Sequence, residues 1–207
     1  MILCKKVYNM TVILASASPR RSELLRNLGL TFTICPADID EDRIQADTPS
    51  RLVEAISSAK ASKVASQSDG DALIIAADTV VVLEDVVLGK PINADAATQM
   101  LSSLSGKTHE VYTGVTLRQG EREVCFHERS EVQFRPLSEE EIGAYLQTGE
   151  PMDKAGSYGI QDVGALLVSE IRGDYFNVMG LPLCRLGLAL QDFGLNLLTL
   201  AATTTRG

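Results

Sequence analysis

Two arginines stand where an apolar segment gives way to a helix. Val12–Ala15 has the pattern of a short buried strand, and Ser18 and Pro19 are suited to the N-cap and first position of a helix that follows. Arg20 and Arg21 then fall in the first helical turn, where the helix dipole disfavours cations. Free backbone N–H groups at such a turn bind anions. The pattern therefore predicts a phosphate-bearing ligand here, with solvated surface arginines as the alternative.

A carboxylate stands in the middle of the most apolar part of the chain. Asp78 follows the apolar run Leu73–Ala77 and precedes Thr79 and three valines. A buried carboxylate is costly unless it is paired or binds a metal. At the end of an α/β strand it would face the crevice where ligands bind. We interpret Asp78 as a chemical group, with a structural aspartate that caps a turn as the alternative.

Three further charged segments are compatible with a polyanion site. The acidic run 38–42 contains Asp38, Asp40, Glu41 and Asp42 and could supply one metal ligand, although such a run is more typical of a solvated loop. Lys60 falls on the apolar stripe of a predicted helix, so it either snorkels to the surface or points into a cleft. Lys90, in Gly-Lys-Pro, follows a short predicted strand and could contact phosphate.

Several familiar kinds of site are missing from the sequence. It has no GxxxxGK[ST] loop, no HExxH and no Cys/His zinc spacing, and neither His109 nor His127 has a nucleophile-elbow context. Arginines, lysines and carboxylates remain. These are the groups needed for metal-assisted attack of water on a phosphoanhydride.

The order of elements predicts an α/β fold with a mixed central sheet flanked by helices. Strands are predicted at 12–15, 73–83, 86–88, 109–118, 122–134 and 165–168. Helices are predicted to begin near residues 19, 49, 94, 139 and 182.

Composition limits the partners. The chain has 207 residues, 45% of them hydrophobic and 22% charged, with a net charge of −8. That charge argues against a general nucleic-acid or anionic-membrane binder, because both need a broad basic face. The 4 cysteines form no CxxC pair, and no apolar run reaches the ~18 residues of a membrane span. We therefore expect a cytoplasmic protein.

Five ordered segments give the chain a close resemblance to a known family. They are LASASPRR (14–21), AADTVV (76–81), GKP (89–91), VYTGV (111–115) and EPMDKAGSYGIQ (150–161). Over roughly residues 11–195 the chain resembles the Maf family of nucleoside triphosphate pyrophosphatases. The resemblance implies an elongated, ITPase-like α/β fold with two lobes and a cleft between them. We expect one domain over 10–198, an N-terminal extension over 1–9 and a frayed tail over 199–207.

The same resemblance implies a reaction and its residues. A nucleoside triphosphate would be cleaved between the α and β phosphates with a divalent cation, Mg²⁺ or Mn²⁺. By position, Asp78 would take the catalytic acid/base role and share the metal with Glu41. The phosphate-binding positions would be Ser16, Arg20, Arg21, Lys60 and Lys90. A homodimer is expected from the same source.

The substrate is predicted from the loop at 152–161, which resembles the dTTP/UTP branch of the family. Arg20, Thr79 and Gln161 occupy positions associated with that choice. An amide such as Gln161 can donate to a base carbonyl and accept from a ring N–H, which matches uracil and thymine. Modified pyrimidine triphosphates are further candidate substrates. The alternatives are a 7-methyl-GTP pyrophosphatase and a non-catalytic nucleotide-binding regulator of cell division.

Overall fold

A mixed sheet of seven strands forms the centre of the computed structural model, which describes residues 10–68 and 70–204. The strands are β1 (Val12–Leu14), β2 (Thr33–Ile34), β3 (Leu73–Leu83), β4 (Val86–Leu88), β5 (Thr108–Gln119), β6 (Arg122–Phe134) and β7 (Val168–Arg172). Their order is β2-β1-β3-β5-β6-β7, with β4 also paired to β3. β1 runs parallel to β2 and β3, and the other pairs are antiparallel. The predicted α/β class with a mixed sheet is confirmed.

Helices cover both faces of this sheet. They are α1 (Pro19–Asn27), α2 (Pro49–Ala65), α3 (Ala94–Leu104), α4 (Glu139–Gln147), α5 (Tyr175–Val178), α6 (Leu183–Asp192) and α7 (Leu197–Thr204). Short 3₁₀ turns lie at Glu41–Arg43, Glu150–Asp153, Ala155–Ser157 and Val163–Leu167. In the part of the chain that the structure describes, none of these helices combines the length and apolar character that a membrane crossing needs.

Strand alternation on β3 separates the two faces. Ile74 and Ala76 pack with α2 on one face, whereas Leu73, Ile75 and Ala77 pack with α1 and α6 on the other. Further along that second face, β3 meets a separate apolar cluster built by α3 and α4. The two clusters form two lobes along one long strand. Between them, the alternation turns Asp78 towards α2 and Thr79 towards α1.

One edge of β3 is interrupted. It pairs with β1 through Leu73–Ile75 and with β4 through Val81–Leu83, while β5 covers the opposite edge continuously over 74–82. Within the described ranges, no strand pairs with residues 76–80 along the first edge. Because backbone groups there remain available and both faces of the strand are reachable, this gap is where side chains of different elements can converge.

Most predicted boundaries agree with the structure. Thr48, Asn93 and Ser138 cap their helices with side-chain hydrogen bonds, and Ser138 forms a full capping box. Glu84 and Asp85 form the hairpin turn between β3 and β4, with φ of +50° and +68°.

Two predictions differ from the structure. Residues 165–167 belong to a 3₁₀ turn, and the strand begins only at Val168, because a four-residue apolar run has no periodicity to separate the two states. Ser18 occupies the N-cap of α1 as predicted, although its hydroxyl makes no cap bond. The tail predicted to fray from residue 199 is helical up to Thr204, and 1–9 and 205–207 lie outside the described residues.

Candidate active site

A cavity of about 1100 Å³ opens at the interrupted edge of β3. The turn between β1 and α1 forms one wall, α2 a second, and the segments at 153–161 and 178–180 the rest. Every site residue predicted from the sequence lines it: Ser16, Arg20, Arg21, Glu41, Lys60, Asp78, Thr79, Lys90 and Gln161. The chemical roles given to them remain predictions.

The floor of the cavity is an ion triad. The Lys60 Nζ lies 2.8 Å from Asp78 Oδ1 and 2.9 Å from Glu41 Oε1. Lys60 therefore points into the cleft, and its ammonium joins α2, β3 and the acidic loop. The Lys60 and Asp78 side chains are only 11% and 10% exposed, whereas Glu41 is 48% exposed. The pair of buried charges is compensated, and at least one of the three ammonium hydrogens is left for a ligand.

The carboxylates of this triad suit a divalent cation supplied with its substrate. Mg²⁺ is usually held by one or two carboxylates together with substrate phosphates and water. Asp78 and Glu41 meet at a single ammonium, so their oxygens face a common point. Within the described residues, no group of three or more His, Cys, Asp or Glu side chains could hold a metal without the substrate. The donor set fits a cation shared with phosphate oxygens.

Two further cations stand at the mouth. Arg20 lies 3.7 Å from Asp153 and its side chain is 29% exposed, so the pair links α1 to the 150–154 turn only loosely. Lys90 is exposed and makes no ion pair with any residue that the structure describes. Both cations can move towards an anion at little cost. Ser16 has its hydroxyl oxygen occupied by the N–H groups of Ser18 and Arg21, which leaves its proton free to donate.

Arg21 is held much more firmly than Arg20. Its Nε donates to the Gly180 carbonyl at 2.8 Å, and its NH1 group donates to Ser16 Oγ at 3.2 Å and the Ala77 carbonyl at 2.9 Å. Its NH2 group donates to Thr79 Oγ1 at 2.9 Å. Burial lowers the pKa of Arg21, and the nearby charge of Asp78 opposes that shift. Four of its five N–H bonds thus serve the protein, which leaves one for a phosphate.

These bonds close a ring behind the cavity wall. Thr113 Oγ1 donates to the Asn177 carbonyl at 2.9 Å, and the same carbonyl accepts from Gly180 N. Because Thr113 has a single proton, its 2.9 Å contact with Thr79 requires Thr79 to donate. Thr79 therefore accepts from Arg21, donates to Thr113 and can offer a ligand only an acceptor. Gly180 has φ +104°, a conformation that favours glycine, and a Cβ there would lie 3.2 Å from Thr79 Oγ1.

Sequence reasoning missed this supporting layer. Thr113 lies in the VYTGV segment and Asp153 in the EPMDKAGSYGIQ segment, but Asn177 and Gly180 lie in neither. No local pattern separates these side chains from ordinary strand and loop residues. Their part in the site comes mainly from contacts between distant positions, such as Thr79 with Thr113 at 34 residues apart and Arg21 with Gly180 at 159.

Comparisons with known proteins match almost the whole chain. The family model described as "Maf-like protein" matches residues 11–193. A protein of Symbiobacterium thermophilum named dTTP/UTP pyrophosphatase is 48% identical over 188 residues, which cover 91% of this chain and 96% of that protein. One of the same name from Moorella thermoacetica is 54% identical over 187 residues, covering 89% and 96% of the two chains.

Among solved structures, the Staphylococcus aureus Ham1 protein aligns with 60% of this chain and 71% of its own, at a TM-score of 0.44 and 12% identity. The family assignment therefore comes from the sequence matches, which cover β1 to α6 and every residue lining the cavity. The chain belongs to the Maf family.

Proposed function

We propose that this chain hydrolyses dTTP and UTP to the nucleoside monophosphate and pyrophosphate. Relatives that share about half of its residues carry the name dTTP/UTP pyrophosphatase. The observation that carries the proposal is the Lys60 ammonium between Asp78 and Glu41, in one cavity with Arg20 and Lys90. The site therefore combines cations that can bind a polyphosphate with carboxylates that can accept a proton and bind a metal.

The reaction places water against the α-phosphorus. A bond forms between the water oxygen and that phosphorus, and the bond from the α-phosphorus to the oxygen bridging it to the β-phosphorus breaks. Pyrophosphate leaves with that oxygen. Asp78 accepts the proton that the water loses, because it is a carboxylate on the cavity floor with only one oxygen engaged by Lys60.

The cations of the site stabilise the charge that moves onto the leaving group. Arg21 and Lys60 are the least mobile of them, because Arg21 makes four hydrogen bonds to the protein and Lys60 makes two ion pairs. Arg20 and Lys90 are free to close on the outer phosphates. Donors that are already oriented before the reaction lower the barrier most, because they need no reorganisation in the transition state.

Asp78 and Glu41 would hold the divalent cation. When bound, it would neutralise phosphate charge and help to activate water. Both carboxylates pair with the Lys60 ammonium, which holds them close enough together to share one cation.

Gln161 supports the pyrimidine assignment. Its side chain lines the cavity and makes no hydrogen bond to another residue that the structure describes, so both ends of the amide remain available. An amide can donate to a carbonyl and accept from the ring N–H of uracil or thymine. Thr79, which can only accept, suits the same ring N–H.

The decisive experiment measures pyrophosphate release from dTTP, UTP, CTP, dGTP and 7-methyl-GTP with Mg²⁺, with Mn²⁺ and with EDTA. We expect the highest kcat/KM for dTTP and UTP and no turnover in EDTA. Preference for 7-methyl-GTP would move the chain to the other branch. Tight nucleotide binding without turnover would favour a regulator of cell division. Full activity in EDTA would contradict the metal role of Asp78 and Glu41.

Two broader expectations accompany this proposal. A cytoplasmic location agrees with the nucleotide substrate and with Cys35, Cys125 and Cys184, which are all free thiols. A homodimer follows from the family resemblance. Light scattering coupled to size-exclusion chromatography measures the oligomer directly, and a monomer at micromolar concentration would contradict the second expectation.

A further inference from the structure

The stretch that carries Gln161 is held by two side chains, Tyr145 on the side before Gln161 and Glu150 on the side after it. We call residues 159–164 the Gln161 segment. Before Gln161, the Gly159 N–H donates to the Tyr145 hydroxyl oxygen at 3.1 Å. After it, the Val163 and Gly164 N–H groups donate to Glu150 Oε2 and Oε1 at 3.2 and 3.3 Å. The backbone on either side of Gln161 is thus fixed.

Tyr145 and Glu150 are themselves one unit. The Tyr145 hydroxyl donates to Glu150 Oε1 at 3.0 Å, and Tyr145 is only 3% exposed on α4 within the apolar cluster of that lobe. Burial raises the pKa of Tyr145, so the hydroxyl keeps the proton that it donates. The Gln161 segment is therefore anchored to α4 in two ways, directly at Tyr145 and indirectly through Glu150, which Tyr145 holds.

The chemistry around Glu150 demands a carboxylate. Its two oxygens face a phenol O–H and two backbone N–H groups, and all three are donors. An ionised carboxylate offers only acceptors, so it satisfies all of them. A glutamine of the same size would place an NH₂ group against at least one N–H or O–H. The bond lengths and the geometry would then have to change.

The Gln161 segment needs this anchor because its backbone is strained. Asp162, directly after Gln161, has φ +42° and ψ −135°, a conformation that favours glycine. Gln161 itself has no side-chain hydrogen bond to another described residue. The place from which its side chain extends is consequently set by the backbone, which Tyr145 and Glu150 hold.

We propose that Glu150 is a positioning residue that, together with Tyr145, holds the Gln161 segment in the conformation that presents the amide to the base. The proposal rests on the proposed function and deepens it. Glu150 acts only through Gln161 and does not touch the reacting phosphates. Its loss therefore changes which nucleotide is preferred rather than the chemistry of cleavage.

The first test compares Glu150→Gln and Tyr145→Phe with the wild type, using kcat/KM for dTTP and for dGTP. We expect kcat/KM for dTTP to fall about tenfold or more, because displacing a recognition group by about 1 Å can cost that much. The value for dGTP should change less than about threefold, so the dTTP-to-dGTP ratio falls. Glu140→Gln, an exposed glutamate on α4, is the control for losing one negative charge and should keep the ratio.

The second test is a double-mutant cycle between Glu150→Gln and Gln161→Ala. If Glu150 acts through Gln161, the double variant loses no more dTTP activity than about twofold beyond Gln161→Ala alone. If the double variant instead shows the product of the two single losses in kcat/KM for dTTP, the proposal is overturned. It is also overturned if Glu150→Gln lowers kcat/KM equally for dTTP and dGTP. Either result would make Glu150 a general loop anchor. Tyr145→Phe, which removes one hydroxyl, answers the same question should Glu150→Gln not fold.

Activity of the wild-type chain distinguishes failure of the proposed function from failure of the positioning role of Glu150. A wild-type chain that releases no pyrophosphate from dTTP or UTP would contradict the proposed function. A wild-type chain that prefers dTTP, with Glu150→Gln and Tyr145→Phe variants that keep the same preference, would contradict the positioning role alone.

Discussion

The Lys60 ammonium lies 2.8 Å from the Asp78 carboxylate, and both side chains are about nine-tenths shielded from water. One residue comes from α2 and the other from β3, 18 positions apart. Breaking such a pair on one side leaves an uncompensated buried charge and is more costly than losing a surface ion pair. The contact therefore carries both stability and the orientation of the predicted catalytic carboxylate.

Replacement of Asp78 by asparagine should separate these two roles. Asn keeps an oxygen that can accept from Lys60, so we expect the fold to survive. Turnover should fall about 10²-fold or more, the scale for losing a general base or metal ligand. Initial rates and thermal melting measure the two effects. Asp95→Asn, at an exposed position outside the cavity, is the matched control. Near wild-type turnover in Asp78→Asn would contradict the assignment.

Removal of Lys60 should lower the stability of the fold. In Lys60→Met the Asp78 carboxylate stays buried without its partner, which we expect to lower the free energy of unfolding by about 3 kcal/mol. Lys63→Met, on the exposed side of the same helix, should change it by less than about 0.5 kcal/mol. Urea denaturation measures both. Equal stabilities of the two variants would show that the Lys60 pair contributes nothing net to the fold.

Arg20 and Arg21 are neighbours on α1 with different predicted losses. Arg21→Ala removes four hydrogen bonds and should lower the free energy of unfolding by about 2–4 kcal/mol as well as slow the reaction. Arg20→Ala removes one loose ion pair, so stability should change by less than about 1 kcal/mol while KM for the triphosphate rises. Denaturation and steady-state kinetics on both variants test this difference. An Arg21→Ala protein as stable as the wild type would contradict it.

Gln161→Ala tests base recognition directly. Loss of its hydrogen bonds should cost roughly 1–3 kcal/mol, so kcat/KM for dTTP and UTP should drop about 5- to 150-fold. Purine triphosphates do not use the pairing and should lose less, which narrows the discrimination. The ratio of pyrimidine to purine kcat/KM, measured in wild type and variant, distinguishes base recognition from a purely structural role of Gln161. A uniform loss across all substrates would indicate that Gln161 only stabilises its loop.

The buried His109 predicts an acid limit to stability. Burial lowers its pKa from 6.5 to about 4, and its Nε2 lies 2.8 Å from the Tyr158 hydroxyl. Between about pH 6.5 and pH 4 the unfolded chain binds the proton that the folded chain refuses, so stability falls as pH falls through this window. The largest loss in the free energy of unfolding that this pKa shift can cause is about 3 kcal/mol, at about 1.36 kcal/mol per pKa unit.

The measurement is the free energy of unfolding at intervals from pH 7.5 to pH 4, for the wild type and for His109→Phe. The variant lacks the titrating ring, so its stability should decline less over that window. Parallel curves for the two proteins would assign the decline to other groups.

Much of the fold could be predicted from the chain itself, because its signals are local. The apolar run before Asp78, the Asn93 and Ser138 caps and the hairpin turn at 84–85 each depend on a few adjacent residues. The ordered motifs indicated the family and the cavity-lining residues. Short irregular segments such as 163–167 were not predictable, because a few apolar residues have no period that distinguishes a turn from a strand.

Tertiary structure alone decided which charges meet. In the sequence, Lys60 is a lysine on an apolar helical stripe and Glu41 one member of an acidic run, yet both converge on Asp78. Arg21 looks identical to Arg20, but only Arg21 reaches Gly180 and Thr79. Secondary-structure propensity and hydrophobic periodicity are properties of short, contiguous segments of the chain. Buried ion pairs and hydrogen-bond rings depend on distances across the sheet, which only the folded register fixes.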